Sequence, residues 1–206
     1  MKFVLFVEGK TERKGLPGFI KRWLDPKLSS PVGIQPVHFV GWSNLIKETP
    51  KKAAKYLQGP NSGDIIAVIA LLDLYGPTIY PSNLANAVER YRWGKKYLEE
   101  QVGHPKFRQF FAVHEVEAWL LSDADLFPSP VRRHIPRGNP EEVNMDCPPS
   151  KLLERLYMDK LSRSYRKVVN GYELFRTLNP EVAYARCPIL RELLDEMVAL
   201  ARAAGL

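Results

Sequence analysis

The sequence predicts an α/β fold with a mainly parallel sheet flanked by helices, followed by an α-helical C-terminal part. Three observations predict this class. There are four short apolar segments, three of which end at or just before a polar residue; helix-like stretches separate them, and beyond residue 150 only helical patterns remain. Strands that alternate with helices at this spacing are typical of βαβ units. We therefore predict an α/β core over residues 1–130 and a helical extension over residues 131–206.

The first strand is predicted over residues 2–7, where a run of apolar residues follows Lys2. A helix is expected over residues 11–24. Pro17 lies inside it and Gly18 follows, so we expect the helix to be split or restarted there, because proline removes a hydrogen bond and clashes with the preceding turn. A second short strand is predicted over residues 35–40.

A second helix is predicted over residues 43–58, with Ser43 as its N-cap. Pro50 is interpreted either as a kink or as the first residue of a second helical piece. The third strand covers residues 64–73 and has eight consecutive apolar residues between two aspartates. A run of this kind is typical of a central parallel strand that is buried on both faces.

The segment 75–81 contains one glycine and two prolines and is predicted to be a loop. Ser82 is expected to cap a long helix that ends near Gln101. The fourth strand is predicted over residues 107–113. Residues 114–121 follow it, and there the sequence pattern changes from that of a strand to that of the start of a helix.

The segment 128–149 is rich in proline and arginine and is expected to cross the surface. Three helices are predicted after it, over residues 150–160, 162–178 and 187–204. The last has an apolar stripe at helical spacing, which indicates a helix that packs on a core.

Composition indicates a folded intracellular protein. Of the 206 residues, 45% are hydrophobic, and the two cysteines, Cys147 and Cys187, have no metal-type spacing. The N-terminal apolar stretch is too short for a signal sequence, and no segment reaches the roughly 18 apolar residues of a membrane span. We expect a cytoplasmic protein with no membrane partner, and the sequence leaves open whether it is a monomer or an oligomer.

The net charge of +7 is unevenly distributed along the chain. Residues 1–60 carry a net charge of +7, residues 61–130 carry −3 and residues 131–206 carry +3. Basic segments on either side of an acidic one suit a carboxylate site whose surroundings hold a polyanion such as DNA or RNA. The alternative is that the basic helices are only solvated faces.

Three carboxylates, Glu8, Asp73 and Glu115, lie at or just after the ends of predicted strands. In a parallel sheet they would meet in one crevice, which is where α/β proteins bind ligands. A carboxylate-rich site without a His or Cys pattern favours Mg²⁺ or Mn²⁺. We predict these three residues as metal ligands and catalytic residues, and phosphodiester chemistry follows from that metal. A structural role such as helix capping is the alternative.

Glu12 and Glu117 could supply a second metal position, or they could be ordinary helical glutamates. His114 is a candidate general base or substrate-binding residue, and Lys151 is a candidate for stabilising a pentavalent phosphate. Lys10 and Lys167 are further candidates for binding the substrate. The segment Gly9-Lys10-Thr11 does not form a phosphate-binding P-loop, because that motif needs a glycine where this chain has Val4.

The sequence also resembles a known family. The segments that carry the resemblance are Val7-Glu8-Gly9-Lys10-Thr11-Glu12, Leu72-Asp73-Leu74-Tyr75-Gly76, His114 through Leu121, Pro140-Glu141-Glu142-Val143-Asn144, Pro149-Ser150-Lys151 and Tyr165-Arg166-Lys167 through Gly171. They are similar, in this order, to the motifs of a Toprim-like bacterial family labelled domain of unknown function 4276. That family is related in motif to the overcoming-lysogenization-defect (OLD) nucleases.

The resemblance implies a Toprim-like, Rossmann-like fold in which carboxylates bind Mg²⁺ to cut or join phosphodiesters. It also implies a partner ATPase of the AAA or ABC type, in a bacterial defence system. By this pattern Glu8 is the Toprim glutamate, Asp73 is the first aspartate of a paired motif, and Glu12 is the additional glutamate of the OLD type. The second aspartate is replaced by Tyr75, which is not a carboxylate ligand.

Three hypotheses follow. The first is a Mg²⁺-dependent nuclease that acts on DNA or RNA. The second is a weakly active or inactive docking subunit for the ATPase, which the loss of the second aspartate favours. The third is a hydrolase of small phosphates, which the basic charge disfavours.

Overall fold

The computed structural model describes residues 1–84, 86–142 and 147–206. Its strands form one parallel sheet in the order β2-β1-β3-β4. The four strands are β1 (Lys2–Val7), β2 (Gly33–His38), β3 (Ile65–Asp73) and β4 (Phe107–Ala112). The predicted α/β class is confirmed. All four strands were expected, and β2 lies two residues earlier than its apolar pattern suggested.

The helices of the described residues flank this sheet and fill the C-terminal part. They are α1 (Lys10–Leu24), α2 (Trp42–Leu57), α3 (Ala87–Val102), α4 (Glu117–Leu120), α5 (Ser129–Arg132), α6 (Pro149–Leu161), α7 (Lys167–Thr177), α8 (Pro180–Arg186) and α9 (Pro188–Ala203). In this described part of the chain, no helix combines the length and the apolar character that crossing a bilayer requires.

Both faces of the sheet are buried, and the alternation of side chains along a strand divides the core in two. Phe3 and Leu5 of β1 face the cluster that contains α1 and the helices after residue 130. Val4 and Phe6 face the cluster that contains α2 and α3. Because β3 lies between these two layers, eight of its nine residues are buried. Residues on either side of position 130 thus share one core.

Helix α1 continues through Pro17, so the predicted break there is wrong. A proline inside a helix costs about 3 kcal/mol. The carbonyl that Pro17 leaves without a donor belongs to Arg13, which is exposed and can be hydrated. Leu16 and Phe19 on the opposite side are fully buried. Their burial offsets the cost of the proline.

Two predicted helix caps are also wrong. Helix α2 begins at Trp42 after Gly41, whose φ of 83° favours glycine, and Ser43 lies within the first turn. Pro50 lies inside this single helix and does not start a second one. Helix α3 begins five residues after Ser82, and its N-cap is Asn86, whose side chain accepts a hydrogen bond from Glu89 N–H.

The C-terminal helices differ from their predictions mainly at their starts. Helix α7 begins at Lys167 and not near residue 162, and the short helix α8 was not predicted. The segment 128–149 is not entirely on the surface, because Val131 and Glu141 are buried. Within the family motif at Pro140–Asn144, Val143 and Asn144 lie outside the described residues.

The strand order places a switch point between β1 and β3. Helix α1 leads from β1 to β2 across one face, and α2 leads from β2 past β1 to β3 across the other. The two connections therefore diverge where the carboxyl ends of β1 and β3 lie side by side. Ligands of open α/β sheets bind at such a point, and here it is the position of Glu8 and Asp73.

Candidate functional site

A cavity of about 490 Å³ opens at the switch point. Glu8 follows β1 directly, and Asp73 is the last residue of β3. The residues that line the cavity come from the carboxyl ends of β1, β2 and β3 and from the first residues of α1 and α7; they are Glu8, Gly9, Lys10, Thr11, Glu12, His38, Val40, Gly41, Asp73, Lys167 and Val168. The structure thus brings together Glu8, Lys10, Glu12, Asp73 and Lys167.

Glu12 lies in the first turn of α1, and its side chain folds back over Gly9. Only 5% of the residue is exposed, and its Oε2 atom is buried without a hydrogen-bond partner. A Cβ atom on Gly9 would overlap that oxygen. The glycine of the Glu-Gly-Lys-Thr-Glu segment is therefore required by the position of the second glutamate.

Lys167, the first residue of α7, links two further carboxylates to the site. Its Nζ atom lies 3.2 Å from Glu115 Oε1 and 3.0 Å from Glu117 Oε2. Glu117 is completely buried. Its contact with Lys167 is an ion pair whose angles do not meet those of a hydrogen bond, so neither Glu117 oxygen has a hydrogen-bond partner. Glu115 is held on its other oxygen by Ser150 N–H, at 2.9 Å.

Close packing between α1 and α7 positions Lys167. A Cβ atom on Gly171 would lie 2.8 Å from Thr11 Cγ2, and one on Gly15 would lie 2.9 Å from Phe175 Cβ. Larger residues at either glycine would hold the helices apart. Two segments of the family resemblance, around Thr11 and around Gly171, are therefore in direct contact.

The carboxylates have perturbed pKa values because they are buried near one another. Burial raises the pKa of Glu8, Glu12 and Asp73, and neighbouring carboxylates add to the rise for Glu8 and Asp73. Burial also raises the pKa of Glu117 to about 7, although Lys167 opposes it. Burial acts in the same direction on Glu115, but Lys167 and Ser150 outweigh it and lower its pKa. Negative charge at this site is only partly compensated.

His114 and Tyr75 form a stacked pair beside the site. Their ring centroids are 4.7 Å apart and their planes differ by 20°. His114 has a φ of 66°, and burial lowers the pKa of its imidazole. Tyr75 packs toward the α2 and α3 side of the sheet and does not line the carboxylate cavity.

Lys151 and Lys10 have different surroundings. The Lys151 ammonium is exposed and lies 2.8 Å from Glu154 Oε2, so it is directed to its own helix and not to the carboxylates. Its neighbour Ser150 contacts Glu115 instead. Lys10 lines the cavity at its exposed rim. The catalytic role predicted for Lys151 stays a prediction.

Sequence reasoning missed two contributors to this site. His38, the last residue of β2, lines the cavity and lowers the pKa of Glu12. The backbone N–H of Trp42, at the start of α2, opposes the rise in the pKa of Glu8. The strand-end criterion that selected Asp73 did not find His38, because the second strand was predicted to continue to residue 40 and in fact ends at His38.

The potential metal ligands at this site are mainly carboxylate oxygens, but these oxygens do not converge on one position. Among residues 1–84, 86–142 and 147–206, no group of three or more His, Cys, Asp or Glu side chains is arranged to hold a metal ion. Lys167 instead pairs with two of the carboxylates. The metal ligands predicted from the sequence stay a prediction.

The comparison with protein families identifies the chain. The family model described as "Domain of unknown function (DUF4276)" matches residues 7–198. The chain belongs to this family. The match runs from the end of β1 into α9 and includes every carboxylate of the site, and the resemblance to this family predicted from the sequence is confirmed.

Solved structures of the C-terminal region of the OLD protein from Xanthomonas campestris pv. campestris are similar to this DUF4276 chain. The structure phased with iodine has 19% identity and a TM-score of 0.46, covering 98% of this chain and 97% of that one. The structure phased with platinum has 20% identity and a TM-score of 0.44, with 98% and 95% covered. A comparison with curated proteins finds no match.

Proposed function

We propose that this protein is a Toprim-type nuclease that hydrolyses phosphodiesters of nucleic acid with Mg²⁺ or Mn²⁺. One observation carries the proposal. At the switch point, Glu8 and Glu12 each have a buried carboxylate oxygen without a hydrogen-bond partner. A buried carboxylate without a partner costs several kcal/mol, and a bound cation offsets that cost.

The donor atoms are of the type that a hard divalent cation prefers, but the described side chains do not converge on one point, so binding would require them to move together. All these unpartnered atoms are carboxylate oxygens, which are the ligands that Mg²⁺ and Mn²⁺ prefer. Glu8, Glu12 and Asp73 would hold the cation, with Glu117 supplying a further oxygen. A cation held there would neutralise charge on the phosphate and act as a Lewis acid toward it.

Lys167 would contribute a positive charge for the phosphate. Its ammonium lies between Glu115 and Glu117 and belongs to the same cavity as Glu8 and Asp73. Burial acts to lower the pKa of Lys167, but the neighbouring carboxylates, Glu117 first among them, outweigh burial and raise it, so the group stays protonated at neutral pH. Glu115, itself held by Ser150 N–H, positions the ammonium. Lys167 can thereby donate hydrogen bonds to a phosphate oxygen.

The charge distribution supports a polyanionic substrate over a small phosphate. Residues 1–60 supply both the first carboxylates and a net charge of +7. Helix α2, within that segment, begins at the cavity rim at Gly41 and Trp42. Lysines on such a helix interact with phosphates at a distance from the bond that is cut.

The decisive experiment is a cleavage assay with labelled DNA and RNA, in Mg²⁺, Mn²⁺ or EDTA. Glu8→Gln and Asp73→Asn keep the side-chain size and remove the charge. Asp159→Asn, on the exposed surface of α6, is the matched control. We expect cleavage that requires the cation, falls about a hundredfold or more in the two site variants and is unchanged in the control. Folded protein without cation binding or cleavage would overturn the proposal.

A second candidate function is a docking subunit for an AAA or ABC-type ATPase, with weak or absent catalysis. Two observations favour it: the Lys167 ammonium pairs with two of the carboxylates, and Tyr75 is directed away from the cavity. Co-purification with an ATPase encoded beside this protein tests it. Association that survives Glu8→Gln and Asp73→Asn, in protein that does not cleave, would favour docking over hydrolysis.

A further inference from the structure

Helices α2 and α3 lie side by side on one face of the sheet and form an exposed surface that the proposed chemistry does not use. Both pack on the same core cluster. A small cavity of about 210 Å³ marks their junction, and Lys47 of α2 and Tyr97 of α3 both line it. The surface starts near the carboxylate site, because α2 begins at Gly41 and Trp42 on the cavity rim.

A row of three lysines follows the outer side of α2. Lys47, Lys51 and Lys55 are four residues apart, so they lie on one helix face, and all three are exposed. The buried residues Leu45 and Ala53 are on the opposite face. None of the three lysines has an ion-pair partner among the described residues. The row is about 12 Å long and leads away from the site.

Aromatic rings line the facing side of α3. Trp93 and Tyr97 are one helical turn apart and stack with centroids 4.6 Å apart and an interplanar angle of 13°. Tyr97 is 37% exposed. Tyr80 meets Trp93 edge-on at 6.1 Å. The lysine row meets the rings at Lys47, which lines the same small cavity as Tyr97. The other two lysines of the row continue along α2 and line a neighbouring cavity beside β2.

The aromatic row continues to the Tyr75–His114 pair beside the carboxylate site. The guanidinium of Arg90 lies 5.7 Å from the Tyr80 ring centroid and 5.8 Å from that of Tyr75. Tyr75 in turn stacks on His114, the residue before Glu115. A chain of contacts between rings, joined at one point by the Arg90 guanidinium, thus extends from the end of β4 to the middle of α3.

We propose that the surface formed by the lysine row of α2 and the aromatic row of α3 binds single-stranded nucleic acid and leads it to the carboxylate site. This inference rests on the proposed function, because it assigns a substrate form to that site. The lysines contact the phosphates, and Trp93 and Tyr97 stack with bases. A cationic track beside aromatic rings is the usual composition of single-strand binding surfaces.

The rings favour a single strand over a duplex. In a duplex the base faces are already stacked and cannot contact Trp93 or Tyr97, so only the lysines would contribute. An acidic protein partner would use the lysines but would gain little from stacked rings. The presence of lysines and aromatic rings on the same surface is therefore the reason to propose a single strand as the ligand.

The test measures binding of a labelled oligothymidylate of about 20 nucleotides, and of a duplex of equal length, in EDTA. The variant Lys47→Ala/Lys51→Ala/Lys55→Ala removes three positive charges. Arg133→Ala/Arg155→Ala/Lys160→Ala removes the same number from exposed positions elsewhere. We expect the lysine variant to lose about tenfold in affinity and to lower the salt slope by about 2. The control should stay within about twofold of the wild type.

Aromatic variants separate stacking from charge. Tyr97→Ala should weaken oligothymidylate binding by about tenfold without changing the salt slope, and Tyr97→Phe should restore it. Tyr172→Ala is the matched control, because Tyr172 on α7 is also 37% exposed. Duplex binding should be weaker than single-strand binding in the wild type and unaffected by Tyr97→Ala.

The experiments distinguish a failure of the single-strand surface from a failure of the nuclease proposal. Equal losses in the two charge variants, no effect of Tyr97→Ala, or no binding in EDTA would overturn the single-strand surface, even if cleavage occurs. Oligothymidylate binding with the expected dependence, in a protein that cleaves nothing under any cation, would support the surface and overturn the nuclease.

Discussion

Lys167 Nζ lies 3.0 Å from Oε2 of Glu117, a carboxylate with no solvent exposure. The two residues come from α7 and α4, which are about 50 positions apart in the chain. Glu117 has no hydrogen bond to compensate for its burial, so the ammonium is its principal stabilising contact. This ion pair ties the C-terminal helices to the carboxylate site.

Replacing Lys167 by methionine should destabilise the fold. Removing one partner leaves a buried charge uncompensated, and because the lysine side chain is 36% exposed we expect a loss of about 2 kcal/mol. Urea unfolding without divalent cations measures it. Adding Glu117→Gln should recover about half of the loss, since the buried charge is then absent. A double variant no more stable than Lys167→Met would show that the pair is not coupled.

Gly9→Ala should displace the Glu12 carboxylate with little effect on stability. The new Cβ meets the end of a flexible side chain, so Glu12 can rotate away, and the free energy of unfolding should change by less than about 1 kcal/mol. Mn²⁺ affinity, measured by calorimetry, should fall about tenfold if Glu12 is a ligand. Gly63→Ala is the control, because a Cβ atom added there would meet no atom within 4 Å. Unchanged Mn²⁺ affinity in Gly9→Ala would remove Glu12 from the ligand set.

Gly171→Ala should separate α7 from α1. Its Cβ would lie 2.8 Å from Thr11 Cγ2, and the overlap should cost about 1–3 kcal/mol of unfolding free energy. Gly18→Ala, on the exposed side of α1, meets only the end of Arg22 at 3.9 Å and should stabilise the protein by about 0.5–1 kcal/mol. Thermal unfolding of the two variants gives the comparison, and equal effects would contradict the close approach of the two helices.

Glu141 should act as a structural residue and not as part of the carboxylate site. Its carboxylate accepts hydrogen bonds from Ile189 N–H, Leu190 N–H and Trp119 Nε1–H, so it caps α9 and fixes the indole. Glu141→Gln should lower the unfolding free energy by about 1–2 kcal/mol. Glu142→Gln, at an exposed neighbouring position, should have little effect. Mn²⁺ affinity should be unchanged in both variants, and a loss in Glu141→Gln alone would contradict the structural role.

Restoring an aspartate at position 75 should not strengthen cation binding. Tyr75 packs against the α2 and α3 side of the sheet and stacks on His114, so an aspartate there would not reach the cavity. Tyr75→Asp should lose about 1–3 kcal/mol of stability and leave Mn²⁺ affinity within about twofold of the wild type. Tyr75→Phe should be neutral or slightly stabilising, because it removes a buried hydroxyl that has no hydrogen-bond partner. Tighter Mn²⁺ binding by Tyr75→Asp would show that the position belongs to the site.

Local sequence patterns were enough to specify the four strands and the polar residues at their ends. An unbroken apolar run such as that of β3 is typical of a strand that is buried on both faces of a parallel sheet. Because parallel strands share one carboxyl edge, the placement of Glu8 and Asp73 at that edge followed from these patterns, whereas their proximity depends on the strand order, which makes β1 and β3 neighbours. The starts of helices were harder to predict. Helix α3 is capped by Asn86 and not by Ser82, and α2 follows Gly41 and not Ser43; local residue preferences do not distinguish these positions.

Which side chains face one another was settled by packing in three dimensions. The contact between Lys167 and Glu117 depends on α7 lying against α1, and that approach is set by the absence of a Cβ at Gly15 and Gly171, which belong to helices far apart in the chain. The direction of Tyr75 was settled in the same way, by its stacking on His114. Burial and contact between distant segments fix these relationships, and a linear pattern contains neither.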